Sequence, residues 1–204
     1  MAQPLSPVIA PFRAPDPADE LARLHLAMKS CTRCPELVKS RNQVVPGDGN
    51  LRSKIVFVGE APGEQEDRKG IPFVGAAGQL LDQLLKEIGL DRKQIFITNV
   101  VKCRPEKNRD PLPTEIAECR EHIYAQLLLL DPAVVCTLGR FALNTVVRED
   151  LRIGQVHGRP VRIHGITFFP IYHPAAALHN ESTRDDLVQD FVNLQAFLKS
   201  VGLG

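Results

Sequence analysis

The chain has 204 residues, of which 44% are apolar and 24% charged, with a formal net charge of +1. That composition is ordinary for a folded globular domain, and the near-zero charge excludes a protein that binds polyanions through its overall charge. No apolar run approaches the ~20 residues that cross a bilayer, and no secretory signal peptide is visible. We therefore expect a cytoplasmic protein with no membrane contact, whose cysteines stay reduced.

The first 18 residues carry five prolines and little periodicity. This pattern predicts a flexible arm over residues 1–18, followed by a single domain over residues 19–204. A helix is predicted to begin at Pro17 and to run through Met28, because Leu21, Leu24 and Met28 share one helical face.

The rest of the chain alternates between short β-branched runs and amphipathic stretches. Strands are predicted at 55–58, 95–101, 134–138, 161–164 and 166–172, and helices at 78–88, 113–130, 139–147 and 183–201. Alternation of this kind is typical of parallel sheets with helices on both faces. We predict an α/β fold, a three-layer α/β/α sandwich with a central, mainly parallel four-stranded sheet.

Four of the five cysteines form two pairs, Cys31 with Cys34 and Cys103 with Cys119. Thiolates from distant segments usually hold a metal ion or an iron–sulfur cluster in a reducing compartment. Zinc fits this spacing as well as a cluster does, and buried thiols without a ligand are the remaining alternative. Cys136 lies in an apolar run and is interpreted as a buried structural thiol.

Three motifs place candidate site residues at or near strand ends, where parallel sheets build their pockets. Glu60 follows the first strand on a loop fixed by two glycines and a proline, which suits a positioned catalytic carboxylate or, alternatively, a solvated turn. Phe73 lies between two glycines and is either a stacking platform or a core residue. Asn99 ends the second strand, where its amide either reads a base edge or serves the fold.

Two further features complete the candidate site. His173 ends the last strand and is followed by proline and small residues, so its imidazole could enter the same pocket. The densest basic group in the chain suits either DNA phosphates or a solvated face, and consists of Lys102, Arg104, Lys107, Arg109 and Arg120.

These motifs together resemble one family. GEAPG at 59–63, PFVGxAG at 72–78, NVVKCRPxxNRxPxPxE at 99–115 and YHPAA at 172–176, with the four cysteines, are similar to the family 4 uracil-DNA glycosylases, the iron–sulfur branch of that superfamily. The resemblance covers about residue 31 to the C-terminus. It implies removal of uracil from single- or double-stranded DNA, and a [4Fe–4S] cluster held by Cys31, Cys34, Cys103 and Cys119.

The resemblance also implies roles for individual residues. Glu60 and His173 would be catalytic, with His173 contacting uracil O2. Phe73 would stack on uracil and Asn99 would read its edge, with Gly59 beside them. The charge pattern, rather than the resemblance, leads us to expect that Lys102, Arg104, Lys107 and Arg109 bind DNA, and the position of Leu178 after the His173 motif makes it a candidate wedge in the vacated base stack.

Other functions remain open at this point. A broader glycosylase would also remove hypoxanthine or xanthine, and a cluster-bearing damage sensor would bind DNA without cleaving it. A nucleotide phosphatase with a structural zinc ion is opposed by the lack of a carboxylate pair for magnesium. We expect a monomer whose N-terminal arm is a candidate attachment point for a repair partner.

Overall fold

The structure is a computed structural model, which describes residues 16–204. Most of the predicted arm therefore lies outside the described residues. Helix α1 spans Pro17–Met28, as predicted, and the Asp16 carboxylate caps it by accepting a hydrogen bond from the Ala18 N–H at 2.9 Å. Pro17 and Ala18 belong to this helix, and the division into an arm over residues 1–18 and a domain over residues 19–204 stays a prediction.

The centre of the domain is a six-stranded sheet with the spatial order β1-β3-β2-β4-β6-β5. Strands β3, β2, β4 and β6 are parallel, whereas β1 and β5 pair antiparallel at the two edges. The α/β class and the mainly parallel sheet are confirmed, but two edge strands extend the predicted four. The strands are β1 Asp48–Gly49, β2 Ile55–Gly59, β3 Phe96–Asn99, β4 Val134–Leu138, β5 Val161–Ile163 and β6 Ile166–Ile171.

Helices cover both faces of the sheet. The long helices were predicted to within a few residues, whereas α2, α3, α7 and α8 were missed because each has at most six residues and too few turns to show a period. No helix between residues 16 and 204 is long and apolar enough to cross a membrane. The remaining helices are α2 Pro35–Ser40, α3 Glu64–Lys69, α4 Ala76–Glu87, α5 Pro113–Leu130, α6 Gly139–Val146, α7 Ile153–Val156, α8 Pro174–Ala177 and α9 Glu181–Ser200, with a 3₁₀ turn at Glu106–Asn108.

Alternation along β2 divides the core into two apolar layers. Phe57 belongs to the layer that includes residues of α4 and α9, such as Leu81 and Phe191. Val56 and Val58 belong to the opposite layer, with residues of α1, α5 and α6. Every β2 residue is buried, because helices cover both faces of the sheet. This packing fixes the position at which β2 ends and the following loop begins.

Candidate active site and cysteine cavity

A cavity of about 510 Å³ opens at the carboxyl ends of β2 and β3. Glu60, Phe73, Asn99 and His173 all line it. Parallel strands end at a common edge of a sheet, so side chains that are far apart in sequence meet there. A volume of this size is typical of pockets that bind small molecules.

Gly59 lies beneath this cavity as the last residue of β2. A Cβ at this position would lie 2.6 Å from Phe73 Cζ and would collide with Asn99 Oδ1 as well. Only glycine allows the aromatic ring and the carboxamide to approach the backbone this closely. The absence of a side chain at Gly59 therefore lets the Phe73 ring and the Asn99 carboxamide pack against the same point of β2.

The loop that carries Phe73 is held in an unusual conformation. Phe73 has φ = +53°, a left-handed backbone that costs energy for a bulky residue. The Arg92 guanidinium donates to the Pro72 carbonyl at 3.0 Å and to the Phe73 carbonyl. On the other side, Glu66 Oε1 accepts from the next two backbone N–H groups at 2.8 and 2.7 Å. Glu66 and Arg92 were not predicted as site residues, because neither lies near a strand end in sequence.

Asn99 carries an unsatisfied acceptor. Its side chain is 1% exposed, and Oδ1 is buried without a hydrogen-bond partner. The backbone beyond it is tied down, because the Val100 and Val101 N–H groups donate to the Gly59 and Glu60 carbonyls, each at 2.9 Å. A buried acceptor left unpaired costs roughly 1–3 kcal/mol. The lining of the cavity therefore includes an acceptor available to a ligand N–H.

The Glu60 carboxyl titrates near neutrality. The pKa of Glu60 is raised from 4.5 to about 7, mostly by burial and also by the Asp110 carboxylate, whereas the Arg140 guanidinium lowers it. Arg140 Nη2 lies 2.5 Å from Asp110 Oδ2, so these two charges form an ion pair at the rim. A carboxyl of this kind can change its protonation state within the physiological range.

The His173 ring is neutral and has a defined tautomer. The Ala175 N–H donates to Nδ1 at 3.1 Å, so Nδ1 is an acceptor and the proton of the neutral ring lies on Nε2. Burial lowers the pKa of His173 to about 4. The ring centroid lies 5.8 Å from that of Phe73. His173 is thus a neutral hydrogen-bond donor beside the aromatic ring.

One predicted DNA ligand is wrong. Lys102 is 1% exposed, and its Nζ donates to Thr98 Oγ1 at 2.7 Å, to the Asn99 carbonyl at 2.5 Å and to Gln126 Oε1 at 2.6 Å. The side chain folds back beneath its own strand instead of reaching the surface. The sequence revealed a cluster of positive charges but not the direction of each side chain.

The other predicted DNA ligands lie at or near the surface. Arg109 lines the cavity rim and forms a two-pronged ion pair with Glu115 at 2.6 and 2.9 Å. Arg104 Nε donates to the Asn108 side chain at 2.8 Å, and Lys107 is exposed. Leu178 is 41% exposed directly after α8, the short helix that follows His173. Their contacts with DNA remain predictions.

The four paired cysteines line a second, small cavity between α1, α2 and α5. Arg41 Nη1 donates to Cys103 Sγ at 3.0 Å. His122 Nε2 lies 3.5 Å from Cys31 Sγ. Cys136 is fully buried in β4, as predicted, and does not line this cavity.

The chemistry of this cavity suits a ligand that thiolates bind. Burial raises the pKa of Cys34 to about 12 and that of Cys103 to about 11. A bound metal centre would supply the positive charge that deprotonates such thiols. Over residues 16–204, no three His, Cys, Asp or Glu side chains are grouped so that they could hold a metal ion. All four thiols nevertheless line this one cavity, and four cysteines are the usual ligand set of an iron–sulfur cluster.

Comparison with known proteins identifies one family. The family model described as "Uracil DNA glycosylase superfamily" matches residues 46–195. The chain is 42% identical over 189 residues to a type-4 uracil-DNA glycosylase of Sulfurisphaera tokodaii, covering 87% of this chain and 84% of the relative. It is 44% identical over 179 residues to that of Thermotoga maritima, covering 86% and 93%. For the Archaeoglobus fulgidus protein of the same name, the identity is 44% over 170 residues, covering 79% and 85%.

The matched residues include those that line the first cavity, together with strands β2 and β3, at whose carboxyl ends it opens. Glu60, Phe73, Asn99 and His173 all lie between residues 46 and 195. The family indicated by the sequence motifs is thereby confirmed. The chain belongs to the uracil-DNA glycosylase superfamily and groups within it with the type-4 proteins.

Proposed function

We propose that this protein removes uracil from DNA by hydrolysing its N-glycosidic bond, which leaves an abasic site for repair. The observation that carries this proposal is the buried Asn99 Oδ1 that has no hydrogen-bond partner at the cavity. Uracil offers an N–H at N3 and an acceptor at O4. One carboxamide can accept from the first and donate to the second.

The same pairing provides selectivity against cytosine. Cytosine has an acceptor at N3 and a donor at the exocyclic amine, so both contacts with Asn99 would be reversed. Leaving buried polar groups unpaired discriminates strongly, by up to roughly 10⁴-fold where a site is built around such hydrogen bonds. A carboxamide buried at 1% exposure has no water to replace the missing partner.

The target base must leave the DNA stack to reach this cavity. Base flipping costs a few kcal/mol. Stacking on Phe73 would recover about 1–3 kcal/mol of that cost. The bonds that Glu66 and Arg92 make on either side of the Phe73 loop fix the ring before the base arrives, so little ordering is required on binding.

Bond cleavage develops negative charge on uracil O2 and positive charge on the sugar. The His173 Nε2–H would donate to O2, and a neutral donor avoids placing a full cation beside the ring. Glu60 in its ionised form would stabilise the cationic sugar and orient the water that attacks C1′. The burial of Glu60 therefore makes the reaction dependent on pH near neutrality.

We further propose that Cys31, Cys34, Cys103 and Cys119 hold a [4Fe–4S] cluster, which would act as a structural cross-link rather than take part in hydrolysis. Cys103 and Cys119 lie on either side of the segment that carries Arg104, Lys107 and Arg109, which would contact DNA phosphates. Leu178 would enter the space that the flipped base vacates. We infer a monomeric enzyme acting on DNA in the cytoplasm, with its N-terminal arm as the attachment point for a repair partner.

A uracil-containing oligonucleotide tests the proposal directly. Purified protein is incubated with it, the abasic sites are cleaved with alkali, and iron content and visible absorbance are measured on the same preparation. We expect strand cleavage at uracil and about four iron atoms per chain. Parallel substrates with hypoxanthine or xanthine identify a broader glycosylase, whereas binding without any cleavage contradicts the proposal. Glu60→Gln is the matched inactive control, because it keeps the shape of the side chain.

A further inference from the structure

Lys102 has no place in the mechanism above, although it is one of the most deeply buried polar residues described. Its Nζ lies 2.7, 2.5 and 2.6 Å from three acceptors, which are Thr98 Oγ1, the Asn99 carbonyl and Gln126 Oε1. A neutral amine has two N–H groups and an ammonium has three. Three acceptors at these distances use every donor of the charged form, so the side chain has a fixed position.

One of these acceptors belongs to the residue that would read the base. The Asn99 carbonyl is part of the peptide group whose N–H, on Val100, donates to the Gly59 carbonyl at 2.9 Å. Lys102 therefore holds one side of this peptide group while β2 holds the other. Both contacts orient the end of β3, from which the Asn99 side chain enters the cavity.

The other two acceptors anchor Lys102 to distant parts of the fold. Thr98 Oγ1 donates to the Pro46 carbonyl at 2.7 Å, and Gln126 Nε2 donates to the same carbonyl at 2.8 Å. Gln126 Nε2 also lies 2.8 Å from His25 Nε2 on α1. The network joins β3 to α1 and α5, the helices that border the cysteine cavity, which Lys102 also lines.

We propose that Lys102 is a positioning residue for uracil recognition, which fixes Asn99 from beneath the cavity and does not contact DNA. This inference rests on the proposed function. Without the ammonium, the Asn99 peptide group loses a charge-assisted hydrogen bond, and the carboxamide loses its fixed place opposite Phe73. A phosphate ligand and a positioning residue differ in measurable ways, because only the former contributes to the salt dependence of DNA binding.

The test compares Lys102→Met with Thr98→Val. Both variants lose buried hydrogen bonds of one network, but Thr98→Val leaves the Lys102 contact with the Asn99 carbonyl in place. For Lys102→Met we expect the inhibition constant of free uracil to rise about tenfold, as for the loss of one hydrogen bond to a charged group. The salt slope of Lys102→Met, meaning the change in the logarithm of its binding constant for undamaged DNA with the logarithm of salt concentration, should equal that of wild type. Thr98→Val should lower the thermal midpoint and leave uracil inhibition within about twofold.

Two results would overturn this inference. The first is equal uracil inhibition in Lys102→Met and wild type, and the second is a salt slope reduced by about one in Lys102→Met. If Lys102→Met does not fold, the test uses Lys102→Gln instead, and the measurement is hydrogen exchange at the Val100 and Val101 backbone amides. Faster exchange at both amides supports the inference, and unchanged exchange rejects it. A wild-type protein that does not excise uracil would instead refute the proposed function.

Discussion

Replacing Glu60 by glutamine should make the protein more stable while abolishing its activity. Burial raises the pKa of this carboxyl from 4.5 to about 7, so the folded protein disfavours the ionised form. A raised carboxyl pKa means that stability is lost as pH rises from the unfolded value toward the folded one. Above about pH 7, the folded protein bears the full free-energy cost of holding the ionised carboxylate. Glutamine carries no charge, so Glu60→Gln removes this cost.

The size of this effect follows from the pKa. The change from 4.5 to about 7 corresponds to an upper bound of about 3 kcal/mol. Glu60 lines an open cavity and is only partly buried, so solvent screening reduces this figure to about 1–2 kcal/mol. For a domain of this size, that corresponds to a thermal midpoint higher by roughly 3–6 °C.

Thermal unfolding of wild type and Glu60→Gln at pH 8 and pH 5 measures the effect. We expect Glu60→Gln to be more stable at pH 8 and nearly equal to wild type at pH 5, where the native carboxyl is already protonated. Uracil excision should fall by at least about 100-fold, the usual contribution of a positioned acid or base. Equal midpoints at pH 8, or a difference that is the same at both pH values, would refute the electrostatic reasoning.

Three further outcomes are expected. In wild type, single-turnover excision should fall about tenfold per pH unit below about pH 7, as Glu60 becomes protonated, and a rate independent of pH from 5 to 8 would contradict this. His173→Ala should lower turnover about 10²–10³-fold and change substrate affinity much less, as initial rates over a substrate series would show. Asn99→Asp should relax or abolish the preference for uracil over cytosine in an oligonucleotide panel, whereas unchanged selectivity would remove Asn99 from base recognition.

Much of the fold was predictable from periodicity and from residues that end elements. Helix α5 spans Pro113–Leu130 and β4 spans Val134–Leu138, both with the predicted bounds. Proline at the first helical position and a short apolar run rich in β-branched residues are strong local signals. Strand β1 has two residues, and such a pair carries no pattern of its own. It exists because β3 offers an edge for it.

The residues of the candidate site also divide into those that the sequence predicts and those that it does not. Glu60, Asn99 and His173 were predictable because parallel topology brings strand ends together whatever the sequence between them. Glu66 was not, since its contacts with the Phe73 loop depend on how two loops meet. Lys102 was assigned to the surface because spacing reveals charge but not burial, and its exposed fraction is 1%.

Three energetically unfavourable features of this structure lie at the active-site cavity. Phe73 adopts φ = +53°, Asn99 Oδ1 lacks a partner, and Glu60 is disfavoured in its ionised form. Two other buried side-chain atoms without partners, in Arg120 and Thr137, do not line the cavity. In the proposed complex, each of these three residues would contact one element of the substrate. A base would stack on the Phe73 ring, its N3–H would pair with the Asn99 amide oxygen, and a cationic sugar would stabilise the Glu60 carboxylate. Stacking and the N3–H pairing would recover free energy as soon as the flipped base binds, whereas the cost of ionised Glu60 would be recovered only as positive charge develops on the sugar. Of the three features, Glu60 is therefore the one that favours the transition state over the bound ground state.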